Sequence, residues 1–209
     1  MKNILIIIIT FISLSINAQD KGFSIGLEAG PSYPNFRDFY DENEFKICLN
    51  VGITTKYFIN KYFSINSGIR YERKGATYHR MFTNKFSEPI KEGSFSWKLD
   101  YLVVPLLIEL NLGKKVNFLL STGPFLGYLF NKYSTFNNEP IENIFLEYSN
   151  KFEFGITSNI GVLFKINKKL SIKIEGRNNW GISTITKYGP LKTNSFAIIT
   201  GISYSFNKE

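Results

Sequence analysis

The chain has 209 residues, 44% hydrophobic, 16% aromatic and 20% charged, with mean hydropathy −0.08 and net charge +8. That length suits one domain or one barrel, and so many aromatic residues at average polarity exclude a disordered chain. The single Cys48 excludes an internal disulfide and a cysteine-cluster zinc site, and the single His79 excludes any site needing two histidines.

The N-terminus comes first in chain order. Met1-Lys2-Asn3 is followed by an apolar run from Ile4 to Ile12 and then by Ala18-Gln19. A positive start, a short apolar core and a small residue at the cut describe an export signal. Cleavage is expected after Ala18, although Ile16, three residues before the cut, is not small. The apolar core is far short of the ~20 residues of a spanning helix. Residues 1–18 therefore read as a signal-peptide helix and 19–209 as the mature domain.

From Gly22 onward the apolar period is two, the period of a strand. Phe23, Ile25, Leu27 and Ala29 alternate with Ser24, Gly26, Glu28 and Gly30. Similar alternation predicts eight strands, at 22–31, 45–58, 63–78, 97–112, 116–129, 152–166, 170–182 and 195–207. A short helical turn near Glu139–Glu147 is also allowed.

The connections carry the sharper signal. Ile59-Asn60-Lys61-Tyr62, Gly113-Lys114-Lys115 and Asn167-Lys168-Lys169 are short links, whereas 32–44, 79–96, 130–151 and 183–194 are long. Short and long alternate strictly, so a meander gathers all short turns at one end. That asymmetry, with an even strand count, describes an outer-membrane barrel with periplasmic turns, extracellular loops and both termini in the periplasm. The expected fold is all-β: an eight-stranded antiparallel up-and-down transmembrane β-barrel preceded by the signal helix.

Alternation gives rows and not directions. Volume decides between them, because eight strands enclose only a narrow, side-chain-filled interior. One set of rows holds large Phe, Ile, Leu and Val. The other holds Gly26, Gly52, Gly68, Gly123, Gly127, Gly155, Gly161 and Gly201, with Glu28, Arg70, Glu72, Glu109, Glu153, Lys173, Glu175 and Arg177. Small residues and opposite charges suit a tight interior where ions pair. The large apolar rows are therefore expected to face lipid, and these eight charged residues to form an interior network that plugs the barrel against ion flow.

Aromatic residues gather at both strand ends, as the two interfacial girdles of such barrels require. Tyr57, Phe58, Tyr62, Phe63, Phe118, Phe164 and Phe206 lie near the short turns. Tyr71, Tyr78, Trp97, Tyr128, Phe130, Phe152, Phe154 and Trp180 lie near the long loops.

Several stretches resemble the PorT-like outer-membrane β-barrel family. They are Ser67-Gly68-Ile69-Arg70-Tyr71 with Lys74-Gly75-Ala76, Tyr101-Leu102-Val103-Val104-Pro105-Leu106-Leu107, Thr122-Gly123-Pro124-Phe125-Leu126-Gly127-Tyr128, and Gly201-Ile202-Ser203-Tyr204-Ser205-Phe206. The resemblance spans about Phe23 to Phe206. It implies an acidic residue where Val103 stands, so one interior charge of the family is missing here. It brings no catalytic residues. It implies contact with the barrel-assembly machinery through a terminal aromatic, here Phe206 with three residues after it. By fold-level analogy alone it suggests a secretion- or envelope-associated role. Pro105 cannot donate to a ladder, so a bulge is expected there.

Chemistry finds little support in the residues. His79, Ser87 and Glu88 share a predicted loop at the outer rim, but Tyr78-His79-Arg80-Met81 matches no lipid-deacylase motif. Asp38, Asp41, Glu42 and Glu44 form an acidic cluster without calcium-loop spacing. No catalytic residue, cofactor or metal is expected. Surplus positive charge on an exported chain points to outer-membrane lipid and lipopolysaccharide and away from nucleic acid. Loop 130–151 mixes Phe136, Ile141, Ile144 and Phe145 with Glu139, Glu142 and Glu147, the composition of a lid or a protein-binding segment. Two readings follow: a non-conducting structural or accessory barrel acting through its loops, or a lipid-handling enzyme or small-solute transporter.

Overall fold

A computed structural model describes residues 22–37, 47–83, 89–137, 139–141, 149–187 and 189–206, with backbone alone over 78–83 and 89–92. The predicted signal segment, 1–18, lies outside the described residues. So do the acidic cluster at 38–44 and both Ser87 and Glu88.

Among the described residues nine strands form, eight of which make the wall: β1 (Phe23–Arg37), β2 (Cys48–Phe58), β3 (Phe63–Thr83), β4 (Pro89–Gly113), β5 (Val116–Phe136), β7 (Phe152–Lys165), β8 (Leu170–Gly181) and β9 (Lys192–Ser205). Each wall strand pairs antiparallel with its chain neighbour. The ring closes where β1 meets β9, with Leu27 opposite Ile202. β6 (Glu139–Pro140) is a two-residue return against Thr135 and Phe136; most of the stretch where the sequence allows a helical turn, Glu139–Glu147, lies outside the described residues.

The short turns show how local sequence sets the topology. Asn60 and Asn167 occupy equivalent places in Ile-Asn-Lys turns. Each side-chain oxygen accepts two backbone N–H groups at 2.8 Å, from Tyr62 and Phe63 and from Lys169 and Leu170. An asparagine side chain that closes its own turn is a strong turn former. The third turn needs Gly113, whose φ of +139° is open to glycine alone; a Cβ there would lie 2.0 Å from the Val116 carbonyl oxygen. Both ends of the barrel chain meet at this same end, where the Phe206 N–H donates to the Phe23 carbonyl at 2.8 Å.

The rows face as expected. Leu27, Ile53, Ile69, Ile108, Phe118, Leu120 and Ile160 are exposed on the outer surface, whereas Glu28, Asn50, Arg70, Glu109, Glu153 and Asn179 are buried within. In water such an outer face would be an aggregating surface; in lipid it is the matching solvent. Tyr62, Phe63, Phe118, Phe164 and Phe206 stand exposed near the short turns, and Tyr128, Phe130, Phe152, Phe154 and Trp180 near the long loops.

Four expectations need correction. Trp97 is no girdle residue: it shares a row with Leu99 and Tyr101 and points inward, only 4% exposed. No bulge forms at Pro105. The β3–β4 register is unchanged from Ser67 opposite Leu106 to Arg70 opposite Val103, and the Ser67 hydroxyl donates to the Pro105 carbonyl at 2.7 Å. The bulge lies instead in β5, where Tyr101 faces Leu129 and Asp100 faces Asn131, leaving Phe130 as the extra residue.

The other two corrections concern strand length. β3, β4 and β5 run 21, 25 and 21 residues, well past the 9–11 needed to cross a bilayer. The predicted loop 79–96 is largely an extended hairpin, and His79 lies within β3 opposite Ser94, not in a loop. Above the membrane both faces of a strand meet water, so the apolar period fades while the ladder continues.

Candidate functional site

The interior is the feature that the fold organises. Because side chains on each strand alternate between wall faces, every second residue enters the lumen. Glycines make room for the long ones. A Cβ on Gly155 would lie 2.4 Å from the Phe125 ring, and one on Gly201 would lie 2.9 Å from Lys173 Cε.

The charges are layered from the short-turn end upward. Lowest is Lys56, with its Nζ 2.5 Å from Glu109 Oε1. Glu109 also accepts from Ser64 at 3.4 Å and Asn66 at 3.3 Å. At mid-height Glu28 is a hub. Its Oε1 lies 2.8 Å from Arg70 Nε and 2.7 Å from Arg177 Nη2, and its Oε2 lies 2.7 Å from Lys173 Nζ. Glu175 closes the cluster, 3.1 Å from Lys173 and 2.5 Å from Arg177. Glu72 accepts from Asn179 at 2.7 Å, and Asn179 accepts from Thr157 at 2.7 Å. Above them Lys74 donates to both Glu153 oxygens at 2.9 and 3.0 Å, and the Thr193 hydroxyl also donates to Glu153. Lys74 further sits over the Phe125 and Tyr101 rings, at 4.8 and 5.2 Å.

All eight sequence-predicted residues are buried in the lumen: Glu28, Arg70, Glu72, Glu109, Glu153, Lys173, Glu175 and Arg177. They do not form one network. Five of them make the Glu28–Arg70–Lys173–Glu175–Arg177 cluster, while Glu109 and Glu153 pair separately with Lys56 and Lys74. Sequence reasoning missed those two lysines, although row parity identifies both. Lys56 follows Gly52 and Thr54, and Lys74 follows Arg70 and Glu72, at intervals of two. With them, five lumen cations face five carboxylates among the described residues. On the β2–β3 wall, Arg70 Nη1 and Nη2, both polar atoms of Asn50 and Glu72 Oε2 have no protein hydrogen-bond partner. Ordered water would satisfy them.

The extracellular end of the lumen is closed by an apolar layer of Phe36, Ala76, Trp97, Leu99, Tyr101, Val103, Phe125 and Leu129, joined by Ile185 and Leu191. The last two descend from the 182–191 connection and are 2% and 3% exposed. The Ile185 N–H donates to the Leu191 carbonyl, and Asn150 ties the segment down through its N–H to Ile185 and its side chain to Thr184 and Thr186. An isolated Ile and Leu in a polar loop gave no periodic signal. Val103, where the family resemblance implies an acid, belongs to this apolar layer.

A closed ring of eight strands with lipid-facing apolar rows and a filled polar interior defines a small integral β-barrel of the bacterial outer membrane. The chain belongs to the outer membrane protein beta-barrel domain family, whose model matches residues 17–187. Its fold is similar to that of Neisserial surface protein A, with 12% identity and a TM-score of 0.53 over 87% of this chain and 96% of that one. It is also similar to OprG of Pseudomonas aeruginosa, with 11% identity and a TM-score of 0.50 over 91% and 98%. At such identities the likeness shows the fold alone. No curated protein sequence matches the chain.

Proposed function

We propose that this protein is a non-conducting, non-enzymatic barrel with a structural or accessory role in the envelope, acting through its extracellular segments. The observation that carries this reading is the double obstruction of the lumen. Five buried cations ion-paired with Glu28, Glu109, Glu153 and Glu175 fill its length, and the Ile185–Leu191 segment closes its outer end with apolar side chains. Paired charges leave little net field to draw ions, and an apolar constriction dewets. The outer surface meets lipid and lipopolysaccharide, the barrel-assembly machinery acts during biogenesis, and a protein partner binds at the extracellular loops. Resemblance to the PorT-like barrels supports a secretion- or envelope-associated partner.

The test is conductance of the purified barrel in planar bilayers. No stable open-channel current is expected, and reproducible single-channel steps would overturn the reading. A photocrosslinking residue at Asn137, in the third long connection, should capture a discrete protein adduct in intact cells.

A further inference from the structure

A pocket of about 440 Å³ opens at the extracellular rim, between β5 and the start of β7. Its wall includes Tyr128, Phe130, Lys132, Asn150, Lys151 and Lys187. Three lysines line it, and no carboxylate does among the described residues.

The β5 bulge falls in this wall. The extra residue Phe130 stands 47% exposed, with its ring 6.0 Å from Tyr71. Bulges re-aim side chains, and they gather beside binding sites. Lys151 and Lys187 are held near one another by the backbone. Ser149 pairs with Thr186, Asn150 binds the Thr184 and Thr186 carbonyls, and the Lys151 carbonyl accepts the Leu129 N–H at 2.8 Å.

What lies beside the lysines gives the ligand its second half. Phe152, 53% exposed, packs its ring 5.5 Å from that of Tyr128 in a tilted contact and continues into the apolar outer face through Phe154 and Leu126. Cationic groups immediately above an aromatic and aliphatic surface match an amphiphile whose anionic head sits at the interface with its chains below. Lysine binds phosphate as a point charge, and juxtamembrane lysines attract anionic headgroups.

We propose that this pocket binds the phosphate of an outer-leaflet glycolipid, a phosphorylated and acylated glucosamine, with Lys132, Lys151 and Lys187 on the phosphate and Tyr128, Phe130 and Phe152 against the acyl chains. The proposal deepens the reading of the barrel as an accessory protein embedded in lipopolysaccharide. It does not depend on whether the lumen conducts.

The experiment is native mass spectrometry of the full barrel in detergent, with lipid A, its dephosphorylated form, or inorganic phosphate added. Wild type should retain lipid A at least tenfold more than the dephosphorylated lipid, and inorganic phosphate should not displace it at millimolar concentration. The triple variant Lys132→Gln, Lys151→Gln, Lys187→Gln should lose that retention tenfold or more. The corresponding triple change to Arg should keep it. Removing the same charge from the periplasmic turns, with Lys61→Gln, Lys114→Gln and Lys168→Gln, should leave it unchanged. Equal retention of the dephosphorylated lipid, displacement by free phosphate, retention by the glutamine variant, or equal loss on neutralising the periplasmic turns would each overturn the assignment. Heat-dependent migration in gels confirms folding of each variant. A conducting barrel that still retains lipid A would defeat the proposed function and leave this site standing.

Discussion

Lys74 and Glu153 pair across the barrel, not along its wall. The ammonium of Lys74 on β3 lies 2.9 Å from a carboxylate oxygen of Glu153 on β7, and neither side chain has any exposure. β4 and β5 stand between those strands on the shorter way round the ring. The contact therefore ties opposite walls together through the lumen. Removing one partner leaves the other charge buried and alone, which costs about 3–5 kcal/mol. Lys74→Met and Glu153→Gln should each lower stability by that order in urea unfolding from lipid vesicles. The pair variant Lys74→Met, Glu153→Met should lose less than either single change, because no orphan charge remains.

Glu28 should prove more sensitive than Glu109. Three cations, Arg70, Lys173 and Arg177, share the Glu28 carboxylate, and without it Glu175 alone is left within ion-pair distance of Lys173 and Arg177. Among the described residues Glu109 answers one cation, Lys56, which lies low in the lumen with its side chain 10% exposed. Glu28→Gln should cost roughly 3–5 kcal/mol, and Glu109→Gln about 1–3 kcal/mol, in the same unfolding measurement. Adding Lys173→Met to Glu28→Gln should recover part of the loss. A Glu109→Gln loss equal to that of Glu28→Gln would contradict the hub.

These two cases show where the sequence was legible. Period-two alternation identified the strands, and residue volume chose their outward face, because both depend only on chain-local facts. Partners across the lumen are not local. Glu153 sat on a recognisable inner row, but its lysine belonged to a strand 79 positions earlier in the chain. The place of Trp97 near a strand end points to a girdle, although its parity with Leu99 and Tyr101 sends it inward. The bulge at Phe130 had no signal, since no proline or glycine marks it, whereas Pro105 looked like a bulge and kept its register. Ile185 and Leu191 were invisible because a loop residue that packs inward has no period to betray it.

The outward rows allow a test that separates lipid from water as the outer solvent. Ile160 lies mid-strand on β7, opposite Leu120, and is 69% exposed. In a bilayer Ile160→Arg should destabilise the barrel by about 2–4 kcal/mol. On a water-facing surface the same change would stay within about 0.5 kcal/mol. Equilibrium folding into vesicles distinguishes the two values.

His79 allows a test of enzymatic character. It pairs with Ser94 in the β3–β4 hairpin, at the extracellular end of the wall. A deacylase would depend on it as general base, since no second histidine exists to replace it. His79→Ala in cells should leave the acylation pattern of lipid A unchanged in mass spectra. A shift toward more heavily acylated species would support the enzyme reading.

The cap over the lumen should open independently of the barrel. Ile185 and Leu191 bury nearly all their surface under residues 182–191, while Lys187 between them is exposed. Burial of each such side chain contributes about 1.5–3 kcal/mol, a large share of what holds a short loop in place. The wall strands on either side, β8 and β9, pair with each other from Leu170–Tyr204 up to Trp180–Asn194 and take no ladder bond from the cap. Ile185→Ser with Leu191→Ser should therefore loosen the segment locally without unfolding the barrel. Trypsin added to intact cells should then cleave after Lys187 at least tenfold faster than in wild type, while heat-dependent gel migration of the barrel stays the same. Unchanged cleavage would mean that hydrogen bonds, from Asn150 to the segment and between Phe154 and Ile182–Ser183, hold the cap without its apolar side chains.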